Sequence, residues 1–309
     1  MARLPRLLDS ILAQSFKDLE VVLVDDNSDE SCGPLVENYR QKGLDISLLE
    51  QPERVYTLKA RLLGIQCARG EIVGFADSDD MLWGTEALEK NIALFRDRQA
   101  DVLHFRSVLI DKDGCFTRYA PLADPFGLLL EGSDILAGYG KADFYGVCSL
   151  WNKLFSRQLC LRVLPEAEDS RFLLRREDGW LSLLLLCSAR RYVGSDYVGY
   201  GYFWEEKRHT PQPEKAIAQY RFLLAATELL RRKHVPENTI ASIRHNLENT
   251  LCGDVGHMCR TLFQLSEAER GEHIAAMRER SDYNDLFETL LLANSLNADR
   301  LVKIYDAYR

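Results

Sequence analysis

The order of apolar and polar positions along the chain predicts strands that alternate with helices over residues 1–110. Apolar residues recur at helical spacing over residues 4–16, and the β-branched run at 19–24 predicts a buried strand. Further strands are expected at 45–50, 71–76 and 101–110, and further helices around Leu58–Ile65, ending near Gly70, and at 85–98. Such alternation is typical of an α/β fold with parallel strands, in which ligands bind at the carboxyl ends of the strands.

Two groups of acidic residues follow predicted strands. Asp25 and Asp26 come after residues 19–24, and Asp77, Asp79 and Asp80 come after residues 71–76. Like charges this close disfavour each other's ionisation, so the triplet needs either solvent or a cation. Mg²⁺ and Mn²⁺ prefer such oxygen ligands and often share them with substrate phosphates. A solvated turn that caps the following helix explains the triplet equally well, and the triplet alone leaves both interpretations open.

The remainder of the chain divides into two kinds of pattern. Residues 116–210 are mixed and rich in aromatic residues, whereas the pattern from Pro213 onward is nearly all helical. Two prolines at residues 211 and 213 suggest a boundary. We therefore expect a domain at 1–212, followed by a helical region at 213–309.

Composition excludes several classes of protein. A net charge of −8 over 309 residues argues against nucleic acid as a partner, and no apolar run approaches the ~20 residues of a membrane span. Eight cysteines without a CxxC pair are typical of a reduced, cytosolic protein. The spacing of Cys252, His257 and Cys259 fits no common zinc site, which favours helix packing for these side chains. The common glycine-rich phosphate loops are absent from the sequence.

Five segments, in this order, resemble glycosyltransferase family two. They are LLDSILAQSFKDLEVVLVDDNSDES, KARLLGIQCARGEIVGFADSDDML, LWNKLFSRQL, REDGWLSLLLL and YFWEEKRHT. The resemblance covers residues 4 to about 210 and leaves the helical tail outside. It implies a GT-A fold, with a mixed, mainly parallel sheet flanked by helices, followed here by a C-terminal all-helical region. It also implies a single-displacement, inverting transfer of a sugar from a nucleotide donor. By this resemblance the domain has a nucleotide-binding half at 1–115 and an acceptor half at 116–212.

The resemblance implies a role for particular residues. Asp178 matches the general base. Asp26 is expected to meet the nucleotide base, Arg61 to lie near the nucleotide and Asp77 to hold the ribose. The metal ligand is Asp79 or, one residue further, Asp80. Additional substrate contacts are expected from Asp25, Lys153, Glu177, Arg208 and His209, and Trp151 is a candidate on the acceptor side.

Several of these residues also have a purely structural interpretation. Asp178 precedes the apolar run at 179–187, where an acidic residue caps a helix equally well. Asp25 and Asp26 have the setting of a polar strand end before a turn. The segment that contains Arg208 and His209 has the composition of a solvated basic loop, and Trp151 is typical of a core position.

The resemblance therefore implies a Mn²⁺- or Mg²⁺-dependent hexosyltransferase that uses a nucleotide sugar, in the first place a UDP-sugar. The acceptor that the family implies is a glycan or a lipid-linked glycan of the cell envelope. A cytoplasmic location follows, with peripheral association at the inner face of the membrane. The alternatives are a truncated, non-catalytic nucleotide-binding relative and a receiver-like signalling module, which would need a closing lysine strand and a much shorter chain. A haloacid-dehalogenase-like phosphatase is disfavoured because Met81 stands where Thr or Val is required.

The sequence departs from the family pattern in two places. Leu62 replaces the Asn that usually follows the Arg of the second segment. The family also begins with an apolar strand and a Pro-x-Tyr-Asn loop, whereas this sequence starts within that loop or after it. Without that strand, backbone groups of 19–24 or 71–76 lose their partner, which is costly when they are buried. There are three alternatives: the two neighbouring strands pair directly with each other, another segment takes the place of the missing strand, or Met1 is a shortened start. We expect the third.

Overall fold

A computed structural model describes residues 3–120, 124–142, 148–168, 176–204, 213–278 and 285–286. The chain separates into two compact units, Met1–Glu205 and Glu206–Arg309. The first unit is α/β and the second is helical over its described residues, which confirms the fold class expected from the sequence.

The elements of the first unit follow the alternation that the sequence predicts. In chain order they are α1 (Leu4–Leu12), β1 (Val21–Asp25), α2 (Gly33–Gln41), β2 (Ile46–Glu50), α3 (Tyr56–Cys67), β3 (Ile72–Gly74), β4 (Met81–Leu82), α4 (Ala87–Asp97), β5 (Val102–Ile110), β6 (Phe116–Tyr119), β7 (Leu129–Glu131), α5 (Ser133–Tyr139), β8 (Lys153–Ser156), α6 (Arg157–Glu168), α7 (Glu177–Ser188) and β9 (Arg191–Phe203).

Helix α1 is shorter than the periodicity indicates. It was expected over residues 4–16, but it ends at Leu12 because the next residues bind the segment before α4. The amide of Gln14 donates to the carbonyl of Gly84 at 2.7 Å, and the Ser15 N–H donates to the carbonyl of Thr85 at 2.7 Å. These two bonds fix the end of α1 beside the loop that follows β4.

The described strands form two separate sheets. One is the parallel pair β1–β2, and the other has the order β3-β8-β5-β9-β4, with β6 on β5 and β7 on β9. The second sheet is mixed, as expected, but only its β5–β9 pair is parallel, so antiparallel pairs outnumber parallel ones. The expectation of a mainly parallel sheet is corrected because the short strands β4, β6, β7 and β8 enter antiparallel to their neighbours.

A cavity of about 930 Å³ extends along strands β1 and β3, which belong to different sheets. Its walls include apolar side chains of α1, α3, α4, β5 and β8 together with both strands, and charged side chains lie among them. Within the described part of the chain, β1 and β3 do not pair with each other and no strand lies between them. Among the described residues, β1 and β3 are therefore not paired directly, and no other strand takes the place between them.

The ladders show which backbone groups face this cavity. In the parallel pair, the Val21 N–H donates to the Asp45 carbonyl and the Asp25 carbonyl accepts from the Gln51 N–H. Because backbone groups alternate in direction along a strand, the N–H and C=O groups of Val22 and Val24 point away from β2. In β3, the Glu71 carbonyl accepts from Arg157 of the neighbouring segment. The same alternation directs the N–H and C=O groups of Ile72 and Gly74 away from β8. Two strand edges thus border one cavity.

The second unit is described as three helices, α8 (Pro213–Arg232), α9 (Glu237–Gln264) and α10 (Glu267–Arg278). Their buried side chains recur at helical spacing, as Leu247, Leu251, Val255 and Leu262 do along α9. Lys215 of α8 pairs with Asp254 of α9 at 2.9 Å. Over the described residues, none of the protein's helices has the length and apolarity of a membrane span.

Candidate active site

The acidic residues that follow β1 and β3 lie at one end of the cavity. Asp26, Asp77 and Asp79 all line it, together with Arg61 of α3. Asp26 accepts hydrogen bonds from the backbone N–H groups of Val55 and Tyr56, which join the loop after β1 to the start of α3. The structure therefore brings together four of the residues that the sequence singled out.

Each carboxylate of the Asp77–Asp80 triplet has a different partner. Asp77 pairs with the guanidinium of Arg61 at 3.1 Å, and Asp79 lies 3.7 Å from that of Arg3. Asp80 is fully buried and accepts hydrogen bonds from the Tyr200 hydroxyl at 2.9 Å and the Phe203 N–H at 2.7 Å. The protein thus offsets the repulsion within the triplet with two cations and a pair of neutral donors.

Asp80 differs from its neighbours in being enclosed by protein. Burial raises its pKa to about 7; the Phe203 N–H opposes this rise and the charge of Asp77 adds to it. Both of its oxygens are bonded within the protein, whereas the side chain of Asp79 is 50% exposed. Between the two candidates that the sequence left open, this geometry favours Asp79 as the metal ligand.

Tyr200 is a site residue that the sequence reasoning did not single out. Its hydroxyl accepts from the Asp77 N–H at 2.9 Å and donates to Asp80, so one side chain fixes the backbone of the first acid and the carboxylate of the last. Trp151 stacks on Tyr200 with ring centroids 4.8 Å apart and on Tyr202 at 5.1 Å. The aromatic-rich pattern of residues 116–210 was the available signal, and it did not reveal which tyrosine meets the acids.

Arg61 connects the triplet to the helix that carries Asp178. Its guanidinium also lies 3.5 Å from Glu177, the first residue of α7, and its side chain is only 14% exposed. Burial and the neighbouring Asp178 raise the pKa of Glu177, and Arg61 opposes that rise. Asp178 follows in the first turn of α7, where its Oδ1 accepts from the Gly179 N–H at 2.7 Å. One arginine therefore holds two distant acidic segments together.

Asp25 has a structural role in the loop after β1. It is buried and accepts a hydrogen bond from the Ser28 N–H at 2.9 Å. Burial raises its pKa, but the donors Ser28 and Cys32 outweigh burial and lower it overall. Arg208 and His209 lie outside the described residues.

Lys153 is fully buried at the start of β8 and belongs to a polar network. Its amine donates to the side chain of Asn152 at 2.9 Å and to the carbonyl of Ser149. The Asn152 amide contacts His104 Nε2 at 2.8 Å, and His104 Nδ1 contacts the Tyr192 hydroxyl at 2.8 Å. Burial lowers the pKa of Lys153 to about 7, although Cys148 and Asp178 act in the opposite direction. Such a network fixes the segment that carries Trp151.

Lys153 makes the stability of the protein depend on pH. Because its pKa is lower in the folded state than in the unfolded chain, its stabilising effect grows as the pH rises from about 7 and is lost as it falls. We expect the wild type to gain stability relative to Lys153→Met between pH 7 and 9 in urea unfolding. Lys90→Met, at an exposed amine, is expected to retain the wild-type profile. Parallel pH profiles for wild type and Lys153→Met would contradict this role.

The oxygen donors at the cavity fit a divalent cation that shares its ligands with a substrate. Asp79 offers an accessible carboxylate, and Asp77 lies two residues away on the same cavity. Among the described residues no group of three or more His, Cys, Asp or Glu side chains is arranged to hold a metal alone. Mg²⁺ and Mn²⁺ bound by one or two carboxylates take their other ligands from phosphates and water, which matches this donor set.

Comparison with known proteins decides the family. The family described as glycosyl transferase family 2 matches residues 2–158, about half of the chain. The chain belongs to this family. The match contains Asp26, Arg61 and the aspartate triplet, and the resemblance inferred from the sequence is confirmed.

Curated members of glycosyl transferase family 2 align with shorter parts of the chain. The amylovoran biosynthesis glycosyltransferase AmsB of Erwinia amylovora is 33% identical over 121 residues, which are 37% of this chain and 40% of that protein. The glycosyltransferase EpsJ of Bacillus subtilis is 36% identical over 73 residues, which are 24% of this chain and 21% of that protein. The alignments thus span less than half the length of these relatives.

Solved structures of glycosyltransferases share the fold. TarS of Staphylococcus aureus, residues 1–349 in complex with UDP, superposes with a TM-score of 0.64 at 20% identity and covers 100% of this chain and 88% of that one. A mannosyltransferase from Pyrobaculum calidifontis, in complex with GDP-Man and Mn²⁺, gives a TM-score of 0.53 at 16% identity and covers 99% and 83%. The chain therefore has the GT-A fold that the sequence led us to expect.

Proposed function

We propose that this protein transfers a sugar from a nucleotide-sugar donor, in the first place a UDP-sugar, to a glycan or lipid-linked acceptor with inversion. The observation that carries the proposal is the arrangement around Arg61. This single guanidinium holds Asp77 at 3.1 Å and Glu177 at 3.5 Å, and so brings the acidic triplet next to the helix start that bears Asp178. A donor-binding group and a base are needed side by side for such a transfer.

In this proposal, different residues of the cavity bind different parts of the donor. Asp26, after β1, takes the nucleotide base, and Asp77, after β3, takes the ribose, with Arg61 beside the nucleotide. Asp79 would hold a divalent cation beside the diphosphate. Asp80 and Tyr200 do not contact the donor but keep Asp77 and Asp79 in place, because they bond each other and the Asp77 backbone.

The proposed reaction is a direct displacement. The carboxylate of Asp178 takes the proton of the acceptor hydroxyl while that oxygen forms its bond to the anomeric carbon. The bond from this carbon to the diphosphate oxygen breaks on the opposite face, and the electron pair leaves with the diphosphate. A bound divalent cation supplies Lewis-acid stabilisation of that leaving group.

Related proteins support the proposed nucleotide-sugar donor and the proposed role in polysaccharide synthesis. TarS has been solved with UDP and with UDP-GlcNAc, and the mannosyltransferase with GDP-Man and Mn²⁺. AmsB is described by its role in amylovoran biosynthesis, and TarS by β-N-acetylglucosaminyl transfer to poly(ribitol-phosphate). We accordingly propose a role in cell-envelope polysaccharide synthesis, in the cytoplasm and at the inner face of the membrane.

The proposal is tested by a donor screen. A panel of nucleotide sugars is incubated with the protein and Mn²⁺, and the released nucleotide is measured. We expect release from one class of donor and a higher melting temperature with the matching nucleoside diphosphate plus Mn²⁺, because a ligand of the native state stabilises it. UDP binding without release from any donor would instead identify a non-catalytic relative.

A further inference from the structure

The cationic partner of Asp79 comes from the start of α1. One Nη of Arg3 lies 3.7 Å from the Asp79 carboxylate, and its guanidinium lies 3.8 Å from the centre of the Phe203 ring. The Phe203 N–H in turn donates to Asp80 at 2.7 Å. Phe203 thus orients Asp80 through its backbone N–H and holds Arg3 beside Asp79 through its ring.

The neighbouring arginine is bound differently. Arg6 donates to the backbone carbonyl of Asp79 and, at 3.1 Å, to that of Lys112, so it fastens α1 to the backbone on both sides. Arg3 instead faces the carboxylate itself, at a distance longer than a hydrogen bond. Its side chain is 42% exposed and that of Asp79 is 50% exposed. An ion pair of this kind is weak and exchanges readily.

The Arg3 guanidinium and a divalent cation would compete for the same carboxylate. Bringing a dication to Asp79 while Arg3 stays in contact places two cations at one pair of carboxylate oxygens, which costs electrostatic energy. A diphosphate at that cation adds negative charge within reach of the displaced arginine. Guanidinium groups bind phosphate oxygens through paired hydrogen bonds, so the arriving donor offers Arg3 a better partner than Asp79.

We propose that Arg3 is the counter-ion of Asp79 in the ligand-free protein, and that it moves to the donor diphosphate when a divalent cation takes Asp79. The movement of Arg3 to the diphosphate rests on the proposed function. The pairing of Arg3 with Asp79 and its competition with the cation concern the protein and the cation alone. Arg3 thereby lowers the affinity for free cation and raises the affinity for the diphosphate, which couples the binding of the two.

The test compares the full chain with its Arg3→Gln, Arg3→Lys and Arg244→Gln variants. Mn²⁺ binding is measured by electron paramagnetic resonance without nucleotide, and UDP binding by calorimetry at saturating Mn²⁺. We expect Arg3→Gln to bind Mn²⁺ about 2–5-fold more tightly, the range for an exposed ion pair, and UDP about tenfold more weakly. Arg3→Lys retains the charge and is expected to bind Mn²⁺ like the wild type. Arg244 pairs with Glu248 on α9 and serves as a matched exposed control.

Shifts of opposite sign distinguish this role from damage to the fold, which would weaken both ligands. Equal Mn²⁺ affinity in the wild type and Arg3→Gln, or no measurable Mn²⁺ binding by either, would overturn the counter-ion role. Unchanged UDP affinity in Arg3→Gln would overturn the transfer to the diphosphate. A wild type that binds Mn²⁺ but no nucleoside diphosphate would contradict the proposed function, while the Mn²⁺ comparison would still decide the role of Arg3 at Asp79.

Discussion

Replacing Asp178 by asparagine is expected to reduce sugar transfer by about 10²–10⁴-fold, the range for loss of a general base, while UDP–Mn²⁺ binding stays nearly intact. The amide side chain of this variant retains the size of the carboxylate and its bond from the Gly179 N–H, but it cannot accept the acceptor's proton. The measurements are initial transfer rates with the donor identified in the screen and calorimetric UDP affinity for the same preparations.

Two further variants make this experiment decisive. Asp79→Ala removes the proposed metal ligand and is expected to weaken Mn²⁺-dependent UDP binding itself. Asp134→Asn removes a carboxylate from the first turn of α5, the same kind of helix position that Asp178 has in α7, and is expected to leave transfer unchanged. Equal loss of UDP binding in Asp178→Asn and Asp79→Ala would show that Asp178 is structural.

An apolar strand supplied to the cavity between β1 and β3 is expected to raise the melting temperature by roughly 5–10 °C and to tighten UDP binding. Each kcal/mol of added stability shifts the midpoint of a unit of this size by ~2–4 °C. The added strand would pair with the backbone groups of Val22, Val24, Ile72 and Gly74, which face the cavity, and would bury its apolar walls. Asp26 and Asp77, which follow these two strands, would be held more rigidly.

The extension is best joined ahead of residue 1. Arg3, at the start of α1, already lies beside Asp79, which follows β3, so a strand that runs parallel to β1 and β3 would emerge next to α1. The test fuses five valine- and isoleucine-rich residues and a short polar loop to the chain. Its control carries prolines at alternate strand positions, which remove the N–H donors. The same melting temperature for both fusions would show that the cavity does not accept a strand.

Much of the fold was predictable from local pattern. The elements around β1, β2, α4 and β5 were identified because an apolar strand or an amphipathic helix imposes its period on the sequence. The end of α1 at Leu12 and the shortness of β3 were not identified. Both depend on bonds to residues far along the chain, such as that between Ser15 and Thr85, which leave no periodic signal.

The sequence by itself determined which acids are candidates for chemistry, because the order of its five segments resembles the family pattern, and this resemblance implies roles for Asp26, Asp77, Asp79 and Asp178. Only the tertiary structure decided how these acids differ. Asp80 is enclosed by Tyr200 and Phe203, whereas Asp79 faces Arg3 and the cavity, although the two residues are neighbours in an unbroken acidic run. The physical reason is that the partners of Asp79 and Asp80, which are Arg3, Tyr200 and Phe203, lie more than 70 positions away, and a local sequence pattern carries no information about them.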